Sequence, residues 1–298
     1  MVHYGQMFGS ALLAPSLSRW LKIPYILNVY GEELGISKES RWLHTHYQKL
    51  IDSAAGITAC SHQTARLLVD EFGYAGPLLV VLPGVDTRRF EPGDRLEARR
   101  RLGLSGSPLL VTVARLMRRK GHDTVLQSVR ELLPRYPDLR YVIVGDGPDR
   151  PRLDAMIREL GLQDHVTMLG KLPDSQLVLA YQAADVFVHP NRELQNGDTE
   201  GFGIVFLEAG SCQTPVIAGR SGGAVDAVRD GETGYLVDPQ SHRELSQRLG
   251  YLLENPAHAE QLGRQGREFA KSLTWPRAAE QVWEFSMGLA GDCREVQS

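Results

Sequence analysis

The chain repeats one pattern for most of its length: a short run of apolar residues, then a stretch whose apolar positions recur at helical spacing. The runs are Tyr25-Ile26-Leu27-Asn28-Val29, Gly56 to Cys60, Leu78 to Leu82, Leu109 to Val113, Tyr141 to Val144, Val166 to Leu169, Val186 to Val188 and Pro215 to Ala218. Continuous apolar runs suit strands buried on both faces, and the helices between them supply the cover. This predicts an α/β fold with doubly wound parallel sheets. Helices are expected over Ala11 to Leu21, from Ser61 with that serine as cap, over His122 to Tyr136, Pro151 to Leu160 and Asp174 to Ala183, and from Ile204. Two more close the chain.

A length of 298 residues allows two ordinary domains. The composition shifts at Asp86 to Ser107, a charged stretch with Pro92 and Pro108 beside it, which reads as a linker plus a short helix. Its arginines, Arg88 to Arg101, read as a solvated face, with an anion or membrane-surface patch as the sharper alternative. A formal net charge of -3 gives no overall attraction to nucleic acid. Cys60, Cys212 and Cys293 lack CxxC spacing and read as reduced thiols of a cytosolic protein. No run approaches the roughly 18 apolar residues of a membrane span.

In open parallel sheets ligands bind where strands end and helices begin, so the residues after each run are the candidates. After Val113 come Arg115 and Lys120, placed to converge on a doubly charged group such as a pyrophosphate. After Val144 comes Gly145-Asp146-Gly147-Pro148, which lacks the third glycine of a dinucleotide fingerprint and reads as a tight turn with close backbone approach. After Val188 a polar loop leads to Glu200 and Gly201-Phe202-Gly203, whose bare N–H groups open the next helix as an anion site. That helix carries Glu208, read as about two turns in, among Ile204, Val205, Phe206 and Leu207. A carboxylate in such surroundings needs a partner. Either it pairs internally, with Arg220 the candidate, or it accepts from paired ligand hydroxyls such as a ribose. Ser221-Gly222-Gly223 adds a fourth loop on the same edge.

Other patterns are quieter. No Gly-x-Ser-x-Gly elbow supports a hydrolase. His44 and His46 are not one helical turn apart, and Asp198-Thr199-Glu200 only superficially resembles a two-carboxylate metal motif. No metal and no other cofactor is expected.

Together these residues resemble the retaining glycosyltransferases of GT-B fold, in particular glycosyltransferase family 4 (group 1). The resemblance rests on Glu200-Gly-Phe-Gly-Ile-Val-Phe-Leu-Glu208, which looks like the family's E-x7-E motif. Arg115 to Lys120-Gly121-His122, Gly145-Asp146-Gly147-Pro148, Pro83-Gly84-Val85-Asp86 and Ser221-Gly222-Gly223 follow in matching order. It spans essentially the whole chain, and Asn196 to Gly203 looks most like bacterial phosphatidylinositol mannoside-type mannosyltransferases. It implies two Rossmann-like domains. Residues 1–104 would be a partial, acceptor-side domain and linker, 105–274 the nucleotide-sugar-binding domain, and 275–298 a helix returning to the first lobe.

The resemblance also implies roles. Arg115 and Lys120 would bind the donor pyrophosphate, with Gly145 nearby. Glu200 would contact hydroxyls of the transferred sugar. Gly201, Phe202, Gly203, Ile204 and Val205 would hold sugar and phosphate, and Glu208 would take the ribose. The backbone at Lys171 and Leu172 would meet the base. Glu200, Arg115 and Lys120 are the catalytic set. The implied reaction moves a hexose of mannose or glucose type from a nucleotide-diphosphate sugar to a lipid or glycan acceptor, with retention. The expected setting is the cytoplasm, with a peripheral contact to the inner membrane face left open, and no nucleic acid partner.

The chain departs from the family pattern in places. Where many relatives carry His in the turn after the second first-lobe strand, this chain has Val29-Tyr30-Gly31-Glu32-Glu33, so Tyr30 or Glu32 becomes the candidate first-lobe contact to the sugar. Gln213 replaces a usual Gly, which reads as a modest packing change. The opening Met-Val-His-Tyr looks like the middle of a domain, so part of the first lobe is expected to be absent. A half sheet with exposed edges would bind nucleotide weakly, transfer sugar poorly and aggregate. Two alternatives are a non-catalytic nucleotide-binding remnant and a nucleotide-sugar epimerase on the same fold.

Overall fold

The computed structural model describes residues 1–7, 9–37 and 40–295. They form two compact units. One comprises Met1–Gly84, Glu193–Phe202 and the segment from Trp275, and the other comprises Val85–Arg192 and Gly203–Thr274. Of the expected features, Phe8 in the opening segment, residues 296–298 and the Cys293 side chain lie outside this description.

The first unit carries four parallel strands in chain order, β1 (Val2–Tyr4), β2 (Tyr25–Val29), β3 (Gly56–Ala59) and β4 (Leu78–Val80). Helices α1 (Ala14–Leu21), α2 (Glu32–Ser37), α3 (Arg41–Asp52) and α4 (His62–Asp70) connect and cover them. Leu27, Val29, Leu50, Ile51, Ile57 and Leu68 are fully buried in its core. The Ser61 hydroxyl accepts from Thr64 N at 3.1 Å, the cap that opens α4.

The second unit is a doubly wound sheet. Its elements in order are α5 (Arg95–Arg101), β5 (Leu109–Val113), α6 (His122–Leu132), β6 (Arg140–Val144), α7 (Arg150–Glu159), β7 (Val166–Gly170), α8 (Asp174–Ala183), β8 (Val186–His189), α9 (Ile204–Ser211), β9 (Val216–Gly219), α10 (Ala224–Ala227), β10 (Gly234–Val237), α11 (His242–Glu254) and α12 (Pro256–Ser272). All six strands are parallel, in the order β10-β9-β8-β5-β6-β7. The winding reverses between β5 and β8, which opens a crevice at their carboxyl ends. The last helix, α13 (Trp275–Glu295), packs on the first unit. There Gly56 leaves room for Leu289 and Phe285, whose atoms would lie 2.5 and 2.9 Å from an added Cβ.

The strands β2 and β5 match the apolar runs end to end. β1 is too short to show a period, β10 escapes notice between turns, and α3 is masked by its polar His44 and His46. The chain closes with three helices rather than two. α6 ends at Leu132, four residues earlier than expected, because the Arg135 and Tyr136 amides turn back onto the Leu132 carbonyl. The arginine run is not simply solvated. Arg99 is buried, bonding Asp185 at 2.6 Å and the Ala183 carbonyl at 2.9 Å, and Arg95 takes the other Asp185 oxygen at 3.0 Å. Asp185 in turn accepts from Leu109 N, so the linker helix is clamped to the start of β5 and β8.

α9 is apolar nearly all round because α12 lies across it at backbone distance. A Cβ on Gly263 would sit 2.1 Å from the Gln213 carbonyl, and one on Gly210 would sit 3.2 Å from the Gly266 carbonyl. Gln213 itself ends α9 in the left-handed region, at φ 60°. A backbone in this region favours glycine, so Gln213 brings strain rather than the modest packing change expected. Replacing Gln213 by Gly should raise stability by about 1 kcal/mol. A higher urea midpoint at unchanged slope would show it.

Candidate functional site

The loops at the carboxyl edge of the second sheet touch through bare backbone. A Cβ on Gly121 would meet the Pro190 carbonyl at 2.1 Å, on Gly145 the Ala114 carbonyl at 2.0 Å, and on Gly147 the Leu116 carbonyl at 2.4 Å. On Gly219 it would meet the Asn191 carbonyl at 2.0 Å. The glycines after β6 thus serve loop packing, as the incomplete fingerprint suggests. Gly121 also adopts φ 71°, which turns the chain from Lys120 into α6.

That turn holds the basic residues. Arg115 is exposed in the loop after β5, and Lys120 ends a single 3-10 turn, Arg118–Lys120, with its side chain mostly buried. Beneath it lies a buried polar chain. His122 Nδ1 shares a hydrogen bond with the Tyr141 hydroxyl at 3.1 Å, and that hydroxyl meets Thr112 at 2.9 Å. Burial pushes the His122 imidazole down to about 4, so it is neutral near pH 7 and adds no like charge beside Lys120. The turn is anchored sideways as well. Arg192 N donates to the Arg119 carbonyl at 2.8 Å, and its guanidinium reaches Asp123 at 2.7 Å. Asp123 also accepts from Arg152 at 3.1 Å, which holds Asp149 at 2.6 Å. Sequence reasoning missed this tie, because Asp123 and Arg192 meet only once β5 and β8 are neighbours.

Glu208 lies one turn into α9, not two. Its partner is not Arg220, which bonds Asp230 at 3.2 Å and the Leu236 carbonyl at 2.7 Å. The fully buried Tyr181 of α8 donates its hydroxyl to Glu208 Oε2 instead. Burial pushes the Glu208 carboxyl above its ordinary range, while the Tyr181 bond and the Arg89 charge pull it down and Asp174 adds to the rise. Arg89 is held by Asp174 at the start of α8, 3.0 Å to its carbonyl. Tyr181, Arg89 and Asp174 were missed. The only available signal was that a tyrosine hydroxyl and a carboxylate in two oily helices each require a partner.

The second unit therefore brings Arg115, Lys120, Gly145, Lys171, Leu172, Gly203, Ile204, Val205 and Glu208 to one edge of one sheet. Lys171 is exposed and Leu172 half-buried after β7. Gly203, at φ 89°, is the N-cap of α9 and supplies no side chain there, and Ile204 and Val205 behind it are half-buried. Tyr30, Glu200, Gly201 and Phe202 belong to the first unit. There the ring of Tyr30 is about half exposed, Glu200 is half-buried and Phe202 is buried. Gly201 presses on the Tyr30 carbonyl, which would lie 2.0 Å from an added Cβ.

Solved structures share this architecture. The chain superposes on sucrose-phosphate synthase from Thermosynechococcus elongatus with TM-score 0.82 and 26% identity, over 97% of this chain and 73% of that one. Anabaena HepE, solved with UDP, gives TM-score 0.82 at 21% identity, over 94% and 76%. The fold is that of the GT-B glycosyltransferases. Residues 94–269 match the family described as glycosyl transferases group 1, and residues 1–89 match glycosyltransferase family 4; the chain belongs to this family and is a sugar-nucleotide glycosyltransferase. It is 37% identical over 272 residues to a GDP-mannose-dependent alpha-(1-6)-phosphatidylinositol monomannoside mannosyltransferase of Mycolicibacterium smegmatis, covering 90% of this chain and 71% of that protein. The Mycobacterium tuberculosis protein of the same name is 34% identical, with 96% and 75% covered. A D-inositol 3-phosphate glycosyltransferase of Nocardia farcinica is 36% identical, with 82% and 56% covered.

Removing the Tyr181 hydroxyl tests the Glu208 environment. Glu208 binds its proton more tightly in the folded chain than in the unfolded one, so its contribution to stability falls as pH rises past 4.5. Tyr181→Phe widens that difference. It should cost about 1–3 kcal/mol, more at pH 7 than at pH 4, as read from urea unfolding at the two pH values.

Proposed function

We propose that this chain moves mannose from GDP-mannose to an inositol-bearing lipid acceptor, with retention of configuration at the sugar. The observation that carries the reading is Glu208. It is a half-buried carboxylate held by one tyrosine, on the same sheet edge as Arg115 and Lys120. A carboxylate is acceptor-only when ionised and suits a pair of vicinal hydroxyls, whereas two cationic side chains and bare helix-start amides suit a diphosphate. The names of the mycobacterial relatives support mannose, GDP and a phosphatidylinositol-based acceptor.

In this reading Arg115, Lys120 and the Ile204 and Val205 amides hold the diphosphate and take up the charge that develops on it as the bond from sugar C1 to phosphate oxygen breaks. The acceptor oxygen bonds C1 from the same face, and its proton passes to the departing diphosphate. Glu200 orients the sugar hydroxyls, Tyr30 or Glu32 contacts the sugar, and the backbone at Lys171 and Leu172 meets the base. No metal or other cofactor enters the scheme.

Among the described residues no helix is long and apolar enough to cross a membrane. The proposed contact with a lipid surface is peripheral. It is supported by Leu13, Trp20 and Leu21 of the first unit, which are 60%, 79% and 49% exposed beside Arg19 and Lys22.

Mass spectrometry of a phosphatidylinositol monomannoside acceptor incubated with GDP-mannose should show one added hexose, and NMR of the product should show the α anomer. An unchanged acceptor, or a β product, would contradict the proposal. Glu208→Ala should weaken GDP binding by about 1–3 kcal/mol, measured by calorimetry. Glu200→Ala should instead lower turnover while leaving GDP affinity near that of the parent.

A further inference from the structure

The loop that carries Glu200 is held by an arrangement in the first unit that the donor-site reading does not use. β2 and β3 are parallel neighbours in register Val29 to Ala59, so Tyr30 and Cys60 leave the sheet side by side. The Cys60 thiol faces two carbonyls at once, Tyr30 O at 3.4 Å and Gly201 O at 3.3 Å. One carbonyl belongs to the turn after β2 and the other to the Glu200 loop. Thr64 Oγ1, 3.6 Å from the sulfur, backs it and is itself fixed by Ser61 at 3.0 Å.

Tyr30 is also held at its amide nitrogen. Glu33, 3% exposed, accepts from Tyr30 N through Oε1 at 3.1 Å, while its Oε2 is buried with no partner among the described residues. A carboxylate kept in such a place costs folding free energy, and burial pushes its carboxyl up. The first return on that cost is a fixed Tyr30 peptide. Glycines let the segments close to backbone contact at two points: Gly201 against Tyr30, and Gly35 of α2 against Gly197, where an added Cβ would lie 2.9 Å from the carbonyl oxygen.

We propose that Cys60 and Glu33 are positioning residues, which fix the Glu200 loop by holding the Tyr30 backbone at its carbonyl and its amide nitrogen and tying it to the Gly201 carbonyl. Cys60 is buried and its thiol is pushed up to about 11, so it acts as a neutral S–H donor and not as a nucleophile. A valine fills the same space without a donor, and a serine keeps the donor. The proposal rests on the reading of Glu200 as the sugar contact only for its catalytic consequence.

Two measurements test it on the whole chain. The first is hydrogen exchange of the amides of residues 194–203 in the absence of ligand. Cys60→Val should speed it about fivefold, Cys60→Ser should match the parent, and exchange in β5, β6 and β8 should be unaltered. Glu33→Ala should speed the same amides, and decides the matter where Cys60→Val does not fold. Parental exchange at residues 194–203 in Cys60→Val, or in Glu33→Ala where that variant decides, overturns the proposal. The second measurement is GDP release from GDP-mannose as mannose passes to an added phosphatidylinositol monomannoside acceptor. Its kcat should fall in Cys60→Val and recover in Cys60→Ser, with GDP affinity unchanged. Faster exchange with parental kcat would overturn the catalytic consequence. A Glu200→Gln chain that releases GDP at the parental rate would instead refute the role of Glu200, leaving the exchange result to judge the positioning on its own.

Discussion

Backbone contact at the carboxyl edge of the six-stranded sheet is the constraint on which the site depends. Gly121, Gly145, Gly147 and Gly219 each meet a neighbouring loop's carbonyl where any side chain would collide. These contacts join the loops after β5, β6, β8 and β9 into one layer, and the layer fixes where Lys120 and the start of α9 stand. Ion pairs stiffen it: Asp123 ties Arg192 and Arg152 together, and Arg192 N holds the Arg119 carbonyl. A site that must hold a diphosphate needs such rigidity, because each cation and amide must already be in place when charge develops.

Glu208 is the costly element in that layer. Its desolvation is only partly offset by the Tyr181 hydroxyl and the Arg89 charge. The packing that imposes this cost also secures the residue, since α12 closes over α9 through Gly210, Gly263 and Gly266. In the proposed reading, an apolar helix with one carboxylate serves packing and ribose binding together. A carboxylate whose charged form is disfavoured by desolvation gains from a ligand that supplies hydroxyl donors.

Much of this was legible in the residues. The apolar runs located β2 and β5 to the residue, because strands buried on both faces leave no ambiguity of period. Arg115, Lys120, Glu200 and Glu208 were singled out from their places after strands and from the family resemblance. What escaped depended on contacts between distant segments. Tyr181 reads as ordinary core until Glu208 is seen against it. Cys60 reads as a plain thiol until parallel register sets it beside Tyr30. Arg99 reads as solvated until Asp185 appears at the start of β8. The alternative of a Glu208–Arg220 pair fails because Arg220 follows β9 and turns to Asp230. In each case the signal lay in pairing across the sheets, which a single sequence does not display.

A crystal structure of the chain with GDP-mannose tests the account most directly. The account predicts the diphosphate against Arg115, Lys120 and the first amides of α9, the ribose hydroxyls on Glu208 with Tyr181 still donating to it, and the mannose hydroxyls on Glu200. Nucleotide bound away from the carboxyl edge of β5 and β8, or a ribose that makes no contact with Glu208, would contradict it.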